Sequence, residues 1–280
     1  MLATMTETLR PRRSCLAVPG SNARFLEKAK SLAADQVFLD LEDAVAPEAK
    51  ASARDAIADW AASASAAERA RVVVRINDAG SGEFAEDLRS LRAARLALVM
   101  LAKAESPVQV AAVRSTLPDA QVLALIESAN GVASIDEIAK AAGVVRLVFG
   151  TLDLALDLEL DIAEQADGLS HVASRLAIAS RVASLACPVA GVTPQLDDDA
   201  RLLADLAWSR RHGLHAKLCI HPKQVDPIHV ALAPSAQALD WARRVLAADA
   251  ASPGVARVDG RMVDRPVVLE AERTLQRAGH

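Results

Sequence analysis

The chain has 280 residues, 52% of them apolar, which is enough for one large α/β barrel or for two small domains. A formal net charge of −4 and an aromatic content of 2% give no general attraction to nucleic acid and no platform on which single strands could stack. No apolar run approaches the roughly 20 residues of a membrane helix. The first residues, MLATMTETLRPRR, contain no apolar signal-peptide core, so we expect a cytoplasmic protein.

Short apolar runs recur along the chain and alternate with Ala-, Leu-, Glu- and Arg-rich segments of helical spacing. The runs are rich in Val, Leu and Ile and alternate only weakly, as expected for strands that are buried on both faces. About eight strands are predicted, the number that closes a parallel barrel. The predicted strands are residues 14–18, 36–41, 71–74, 96–102, 122–126, 144–149, 187–192 and 216–220.

The segments between these strands predict helices that cover the outside of the barrel. Ser21 or Asn22 could cap the first helix, and Ser106 followed by Pro107 opens another. The segment AASASAA near residue 61 is interpreted as a helix end and a loop. The predicted helices are residues 23–34, 50–61, 83–94, 107–116, 134–141, 163–184 and 197–212.

A TIM (β/α)8 barrel over residues 1–234 therefore precedes an extension of the same domain over residues 235–280. The extension predicts a helix over 236–248, a turn at Ser252-Pro253-Gly254, a hairpin turning at Asp259-Gly260, and a helix over 269–276. A closed barrel does not need this extension, which either pads the barrel or reaches a neighbouring subunit.

Nearly every predicted strand ends in a polar or conformationally special residue, and barrels of this kind carry their active sites at the carboxyl ends of the strands. Glu127 and Asp153 follow two successive strands, so one rim could present both carboxylates to a single hard divalent cation. The alternative is two surface acids that begin helices, where the helix dipole favours them. The residues at the strand ends are Asp40, Glu42, Asp43, Arg75, Asn77, Lys103, Glu127, Asp153, Thr193 and His221.

The other charged residues at the strand ends each allow two interpretations. Arg75 suits a substrate carboxylate, or it forms a salt bridge with the acids of residues 40–43. Glu42 and Asp43 either hold metal-bound waters or belong to a structural charge network. Lys103 could form a Schiff base, or it pairs with an acid or binds substrate anions.

Three further features have simple structural interpretations beside functional ones. His221, which precedes a proline, either caps a loop or acts as a base. Gly150 permits a close backbone approach to a ligand, or it is an ordinary loop glycine. Three well-separated cysteines in apolar runs are expected to be buried free thiols: Cys15, Cys187 and Cys219.

Several motifs resemble those of the citrate lyase beta-subunit-like proteins, within the acyl-CoA lyases and class II aldolases. They follow the order of that family across almost the whole chain: RSCLAVPGS at 13–21, LDLEDAV at 39–45, VRIN at 74–77, IESANG at 126–131, FGTLDL at 149–154, KLCIHPKQV at 217–225 and DGRMVDRPV at 259–267. The resemblance implies a TIM barrel, an oligomer that is often a homotrimer, and magnesium held by the acids matching Glu127 and Asp153.

The same resemblance implies roles for further residues. Arg75 matches the arginine that holds the carboxylate of a 2-oxo acid. Asp264 matches an acid that members acting on CoA esters supply from the adjacent subunit as the catalytic acid/base. Arg13 and the loop to Arg24 are similar to the region that meets the CoA phosphates. One departure is Leu152, where the family often has an acid, which bears on substrate shape or on the surroundings of the metal.

The expected function is a magnesium-dependent carbon–carbon lyase that cleaves a 3-hydroxyacyl-CoA of the malyl-CoA or citramalyl-CoA type to acetyl-CoA and a 2-oxo acid, or that runs the reverse condensation. One alternative is a CoA-independent class II aldolase acting on a hydroxy-oxo acid, for which Asp264 would be dispensable. The other is a non-catalytic relative that binds metal and oxo acid. Leu152, which stands where the family often has an acid, leaves this alternative open.

Overall fold

The computed structural model describes residues 12–163, 166–252 and 254–279. Three predictions involve residues outside these ranges. The expected cytoplasmic location was argued from the first residues, most of which lie outside, and so do two residues of the predicted helix 163–184 and Pro253 of the predicted turn. The chain separates into two compact units, one comprising Arg13–Ile228 and the other beginning again at His229. Within the described residues, no helix combines the length and the apolar character that crossing a membrane requires.

Eight parallel strands form a closed barrel in the first unit, and each strand pairs with its neighbours in chain order. The barrel closes where the first strand pairs with the eighth, through Ser14 and Lys217 among other residues. The predicted TIM barrel is therefore confirmed. The strands are β1 (Ser14–Pro19), β2 (Gln36–Asp40), β3 (Val72–Ile76), β4 (Leu98–Leu101), β5 (Gln121–Ile126), β6 (Val144–Phe149), β7 (Val189–Ala190) and β8 (Ala216–Cys219).

Helices follow the strands along the chain. They are α1 (Ala23–Ala29), α2 (Lys50–Ser63), α3 (Ala66–Arg71), α4 (Phe84–Ala94), α5 (Pro107–Thr116), α6 (Ala129–Ala133), α7 (Ile135–Lys140), α8 (Thr151–Asp157), α9 (Ser170–Val182), α10 (Asp199–Arg211) and α11 (Val225–Leu232). Short 3₁₀ turns occupy Pro47–Ala49, Asp167–Leu169 and Pro222–Gln224. Asn22 caps α1 through Phe25 N, and Ser106 with Gln109 forms a capping box on α5, as the sequence indicates.

Four helices lie outside the helix bounds predicted from the sequence: α3, α6, α8 and α11. Ser65 and Glu68 form a reciprocal capping box that begins α3 within the segment interpreted as a loop. Helix α8 begins directly after Gly150 and carries Asp153 in its first turn. The prediction of α1 was too long, since that helix ends at Ala29.

Alternate residues of the strands fill the barrel with apolar side chains. This cluster consists of Cys15, Phe38, Val73, Met100, Leu123, Leu125, Val148, Val189, Ala216 and Leu218. Successive side chains of a strand point to opposite faces, so the residue two places further along shares the face of the cluster. Four such positions form the last inward-facing layer at the carboxyl ends of the strands: Asp40, Arg75, Glu127 and Gly150.

The second unit contains α12 (Ala236–Ala251), β9 (Arg257–Val258), β10 (Arg261–Met262) and α13 (Arg265–Arg277). The two strands pair antiparallel, and the turn residues Asp259 and Gly260 have φ of 51° and 78°. Positive φ at both central residues is what a tight hairpin requires, so the predicted Asp-Gly hairpin is confirmed. The unit has its own apolar core, which consists of Ala242, Val245, Ala256, Val258, Val263, Val268 and Ala271.

Candidate active site

Arg75 lies at the centre of the carboxyl rim and is surrounded by carboxylates. Its Nε and Nη2 donate to the two oxygens of Asp40 at 2.7 and 2.6 Å. Its Nη1 lies 2.7 Å from Glu42 Oε2, where hydrogen-bond alignment is poor, and 4.0 Å from Asp43. Burial lowers the pKa of Arg75, but the nearby acids together raise it by more than burial lowers it. The net pKa lies above the ordinary value, so the guanidinium is always charged. The structure therefore agrees with the salt-bridge interpretation of Arg75, and the binding of a substrate carboxylate stays a prediction.

Lys103 follows β4 and contacts the same acids in two ways. Its Nζ donates to Glu42 Oε1 at 3.0 Å, and its backbone N–H donates to Glu127 Oε1 at 2.8 Å. The residue has a φ of 45°, a left-handed conformation that costs a non-glycine residue on the order of 1 kcal/mol and turns the amide toward the carboxylate. Burial is the largest single effect and lowers the pKa of Lys103. The hydrogen bond to Glu42 and the negative charges of Glu42, Asp43 and Glu127 together outweigh it, so the pKa is raised. A charged amine is a poor Schiff-base nucleophile, so the pairing interpretation is the better one.

Glu127 and Gly150 lie against each other across β5 and β6. The amide of Gly150 donates to Ile126 O at 2.9 Å, which brings the two strand ends together. A Cβ at position 150 would stand 2.3 Å from Glu127 Cβ and 2.6 Å from Glu127 Oε2. The Glu127 side chain by itself requires glycine at this position, and the close approach of the Gly150 backbone to a ligand stays a prediction.

Glu127 is buried, and among the described residues no cation forms a salt bridge with its carboxylate. The pKa of Glu127 is raised to about 8, mainly by burial and also by the neighbouring charges of Glu42 and Asp153, against the opposing effects of the Lys103 amide and Arg75. Asp153 is half-buried in the first turn of α8. Glu127 and Asp153 therefore act on each other electrostatically, and their surroundings carry uncompensated negative charge.

These residues fit a magnesium ion by the chemistry of their donors. Carboxylate oxygens are the ligands that magnesium prefers, and the ion usually keeps several waters beside one or two carboxylates. Within the part of the chain that the structure describes, no group of three or more His, Cys, Asp or Glu side chains forms a closed metal cage. A pair of acids with open coordination positions is the arrangement a catalytic ion needs for its substrate.

The structure does not bring Arg13 to this rim. Arg13 immediately precedes β1, at the amino end of the strand, and its backbone amide donates to Asp35 Oδ2 at 2.6 Å. Its carbonyl accepts from the Lys217 amide at 2.8 Å, which continues the pairing of β1 with β8. The sequence motif that suggested a CoA contact thus places Arg13 at the other end of the barrel from Glu127 and Arg75.

Asp264 lies in the second unit and is exposed. Its side chain accepts from Val267 N at 3.1 Å and so caps α13. This capping contact was not predicted from the sequence. The expected role of Asp264 as an acid/base supplied to a neighbouring subunit stays a prediction.

The remaining rim residues have structural partners. His221 accepts from the Lys223 amide at 3.1 Å, the loop-capping interpretation. Thr193 donates to Asp205 at 2.6 Å. All three cysteines are free thiols, as predicted, with Cys15 and Cys219 buried and Cys187 partly so.

Sequence reasoning missed Lys50, which supports the loop that carries Glu42. Its buried Nζ donates to the carbonyls of Leu41 and Glu42 at 2.8 and 2.9 Å and to Asn77 Oδ1 at 2.6 Å. Asn77 in turn donates to Asp87 Oδ2 at 2.7 Å, so it belongs to this support and not to the ligand-facing layer. Lys50 begins an Ala-rich helix, and no local signal distinguishes it from a surface lysine.

Comparison with known proteins agrees with this geometry. A family model described as HpcH/HpaI aldolase/citrate lyase matches residues 13–222. The chain belongs to this family. Members of the citrate lyase family are lyases that act on oxo acids, so the chain is an enzyme of the carbon–carbon lyase type.

Two relatives and one solved structure illustrate the range of the citrate lyase family. A citrate lyase subunit beta-like protein of Mycobacterium tuberculosis is 38% identical over 257 residues, which cover 88% of this chain and 89% of the relative. A (3S)-malyl-CoA thioesterase of Cereibacter sphaeroides is 32% identical over 278 residues, covering 98% and 97%. The crystal structure of protein CitE from M. tuberculosis in complex with magnesium, acetoacetate and coenzyme A superposes with a TM-score of 0.84 at 35% identity, covering 96% of this chain and 98% of that one.

Proposed function

We propose that this protein is a magnesium-dependent carbon–carbon lyase that cleaves a 3-hydroxyacyl-CoA of the malyl-CoA or citramalyl-CoA type to acetyl-CoA and a 2-oxo acid, or catalyses the reverse condensation. The observation that carries the proposal is the grouping of Glu127, Asp153 and Arg75 at the rim of one barrel. The complex of protein CitE with magnesium, acetoacetate and coenzyme A supports the choice of cofactor and of ligand class.

Glu127 and Asp153 would hold the magnesium ion through carboxylate oxygens. The ion supplies Lewis-acid stabilisation of negative charge on the substrate hydroxyl and carboxylate. Lys103 fixes one Glu127 oxygen through its backbone amide, so the carboxylate is oriented before a ligand arrives. Deprotonation of Glu127 is required for this role, because its pKa of about 8 leaves it largely protonated at neutral pH without a cation.

Arg75 would receive the substrate carboxylate. Asp40 occupies Nε and Nη2, which leaves Nη1 as the donor nearest to Glu42 and Asp43. Glu42 is held on its other oxygen by Lys103, so it can give up the poorly aligned Arg75 contact without losing every partner. A substrate carboxylate on Nη1 then gains a charge-assisted hydrogen bond from a guanidinium that is already fixed in place.

Asp264 of a neighbouring subunit would accept the proton of the substrate hydroxyl in the cleavage direction. The bond between the carbinol carbon and the α-carbon of the thioester then breaks, and its electron pair stays on the acetyl-CoA side as the enolate. A homotrimer would supply this acid once to each site. Arg75 stabilises the carboxylate of the departing 2-oxo acid.

The similarity to a (3S)-malyl-CoA thioesterase favours a second outcome of the same chemistry. Condensation followed by hydrolysis of the thioester would release the free hydroxy acid and CoA, and the enzyme would then act as a synthase or a thioesterase. Free thiol without acetyl-CoA, appearing from malyl-CoA, is the product pattern of that outcome.

A substrate panel tests the proposal directly. Purified protein would be incubated with malyl-CoA, citramalyl-CoA and CoA-free hydroxy-oxo acids, each with magnesium and each with excess chelator. We expect acetyl-CoA and a 2-oxo acid from at least one CoA ester, and only with magnesium. Cleavage confined to the free acids would replace the proposal with the aldolase alternative, and binding of oxo acid with no turnover on any substrate would indicate a non-catalytic relative.

A further inference from the structure

A cavity lies within the barrel unit, on the helix side of β7 and β8. Its volume is about 150 Å³. Ala216 and Leu218 belong to the cluster inside the barrel, so Lys217 between them faces outward, toward the helices. The walls are largely apolar and include Leu152, Ile162, Leu169 and Val192.

Two buried side chains that line this cavity have N–H groups with no acceptor among the described residues. Lys217 is 2% exposed, and the one hydrogen bond of its Nζ within the described residues goes to Gly191 O at 2.7 Å. The indole Nε1–H of Trp208 is buried, and no acceptor within the described residues reaches it. An ammonium has three protons to donate, so the two groups together have three donor positions left.

The other charged residues of the cavity are already paired. Arg201 donates to Asp205 Oδ1 at 2.9 Å, to Ile162 O at 3.2 Å and to Ala163 O. Asp205 also accepts from Thr193 Oγ1 at 2.6 Å. Among the described residues that line the cavity, two cations and one anion therefore leave an excess of one positive charge, on the side of Lys217. Buried donors and an unbalanced cation are costly unless an acceptor meets them.

We propose that this cavity binds a small monocarboxylate, with its oxygens on Lys217 Nζ and Trp208 Nε1 and its alkyl part against Leu152 and Ile162. A carboxylate has only acceptors, which matches the spare donors, and one negative charge, which matches the excess charge. A volume near 150 Å³ admits a molecule of roughly six non-hydrogen atoms. Thr151 and Leu152 line the cavity and directly precede Asp153, so the bound molecule packs beneath the helix that carries a proposed metal ligand.

The ionisation of Lys217 makes this binding dependent on pH. Burial lowers the pKa of Lys217 to about 8, against the opposing charge of Asp205 and in the same direction as Arg201. Cys219 faces the same layer, and burial raises the pKa of its thiol to about 12, so the thiol stays neutral. Anion binding requires the ammonium form, so affinity falls as the pH rises through about 8, by roughly tenfold for each further unit.

Tryptophan fluorescence can show whether a carboxylate binds at this cavity. The chain has three tryptophans, so the Trp60→Phe/Trp241→Phe variant leaves Trp208 as the reporter. Full-length protein of this background would be titrated with sodium propionate and, at matched ionic strength, with propionamide. We expect a saturable change in Trp208 emission with propionate and none with propionamide. Equal responses to the two, or no response to propionate, would overturn the proposal.

Lys217→Met on the same background should weaken propionate binding at least tenfold, whereas Lys223→Met should leave it unchanged because Lys223 is exposed and pairs with Asp197. A folded Lys217→Met protein with unaltered affinity rejects the site. If Lys217→Met does not fold, the pH series on the background protein decides: affinity that is flat between pH 7 and pH 9.5 overturns the proposal, and affinity that falls above about pH 8 supports it.

Discussion

Arg75 and Asp40 occupy directly paired positions of β3 and β2, and two hydrogen bonds of 2.7 and 2.6 Å join their side chains. Because both residues belong to the inward-facing register, strand pairing alone brings the guanidinium and the carboxylate together at the rim. Phe38, two places before Asp40, supports the guanidinium from one side, with its ring centroid 5.8 Å from Arg75 Cζ. Arg75 is therefore fixed in place before any substrate arrives.

Replacement of Asp40 should damage both stability and activity. Asp40→Asn keeps the shape but leaves the guanidinium of Arg75, whose side chain is only 14% exposed, without its main counter-charge, so we expect a loss of about 3 kcal/mol in the free energy of unfolding. Misplacement of Arg75 should lower kcat/KM by about 100-fold. Denaturant titration and steady-state kinetics measure the two effects. Asp43→Asn is the matched control, since Asp43 is exposed and 4.0 Å from Arg75, and a change of similar size there would refute the argument.

Addition of one methyl group at Gly150 should disturb Glu127. A Cβ at this position would stand 2.3 Å from Glu127 Cβ, so Gly150→Ala must displace the carboxylate or the strand end. We expect magnesium affinity, measured by calorimetry, to fall at least tenfold, and stability to fall by about 2 kcal/mol. Gly82→Ala is the control, because a Cβ there meets no atom within 4 Å. Unchanged magnesium binding in Gly150→Ala would mean that Glu127 does not hold the ion.

The barrel was predictable because a strand that is buried on both faces must be apolar along its whole length. The strand 144–149 was predicted to the residue, and the others to within a few positions. Helices α3 and α8, which are among those not predicted, show where this reasoning fails. α3 depends on the exchange of hydrogen bonds between Ser65 and Glu68 in a stretch of low complexity, and α8 depends on an abrupt start after Gly150.

The sequence predicted that the site lies at the carboxyl rim of the barrel, but it did not predict which side chains pair with each other there. Residues at strand ends share an edge by topology, which is why Glu127, Arg75 and Lys103 could be grouped from sequence. Partner choice within that edge depends on register and on side-chain reach. A salt bridge of Arg75 with the acids of residues 40–43 was one of two interpretations, but Asp40 was not singled out as its bidentate partner, and the support by Lys50 was not predicted. The predicted strand 14–18 already implied that Arg13 lies at an amino end, as the structure shows, so the CoA contact came from the motif alone and stays a prediction.

Magnesium binding should release a proton at neutral pH. Burial raises the pKa of Glu127 to about 8, so the metal-free carboxyl is largely protonated at pH 7 and must ionise to hold the ion. We expect apparent magnesium affinity to rise about tenfold per pH unit up to about pH 8 and then to level off. Calorimetry at pH 7 in buffers of different ionisation enthalpy should give close to one proton released per ion. No proton release, or a release that persists in Glu127→Gln, would contradict the assignment.

The same carboxyl should make the metal-free protein less stable as the pH rises. The folded pKa of Glu127 lies above its unfolded value of 4.5, so the contribution is fully present below pH 4.5 and is lost as the pH rises toward about 8. Its size is up to about 5 kcal/mol. Denaturant titrations in chelator between pH 5 and pH 8.5 should show this slope, and Glu127→Gln should remove it. An equal slope in the two proteins would place the titrating group elsewhere.

Lys50 should be required for the arrangement of the loop that carries Glu42. Lys50→Met leaves the Leu41 and Glu42 carbonyls and the Asn77 amide oxygen without their common donor, so we expect a loss of about 3 kcal/mol in stability. Activity should fall with it, since Glu42 positions Lys103 and Arg75. Denaturant titration compares this variant with Lys28→Met, an exposed lysine of α1 that should tolerate the change within about 0.5 kcal/mol. Equal stability of the two variants would show that the Lys50 contacts contribute little.

The structural and the chemical roles of Asp264 can be separated by replacing one carboxylate oxygen with an amide nitrogen, as in Asp264→Asn. The side chain caps α13 by accepting from Val267 N, and asparagine caps a helix as well as aspartate does. Asp264→Asn should therefore keep the stability of the parent within about 0.5 kcal/mol, whereas Asp264→Ala should lose about 1 kcal/mol. If Asp264 accepts the hydroxyl proton of the substrate, both variants should lose CoA-ester cleavage by at least 100-fold, because neither amide nor methyl is a base. Kinetics on malyl-CoA beside denaturant titration of the three proteins makes the comparison. Full activity of Asp264→Asn would confine this residue to helix capping, and an activity loss in Asp264→Ala alone would trace the effect to the helix rather than to proton transfer.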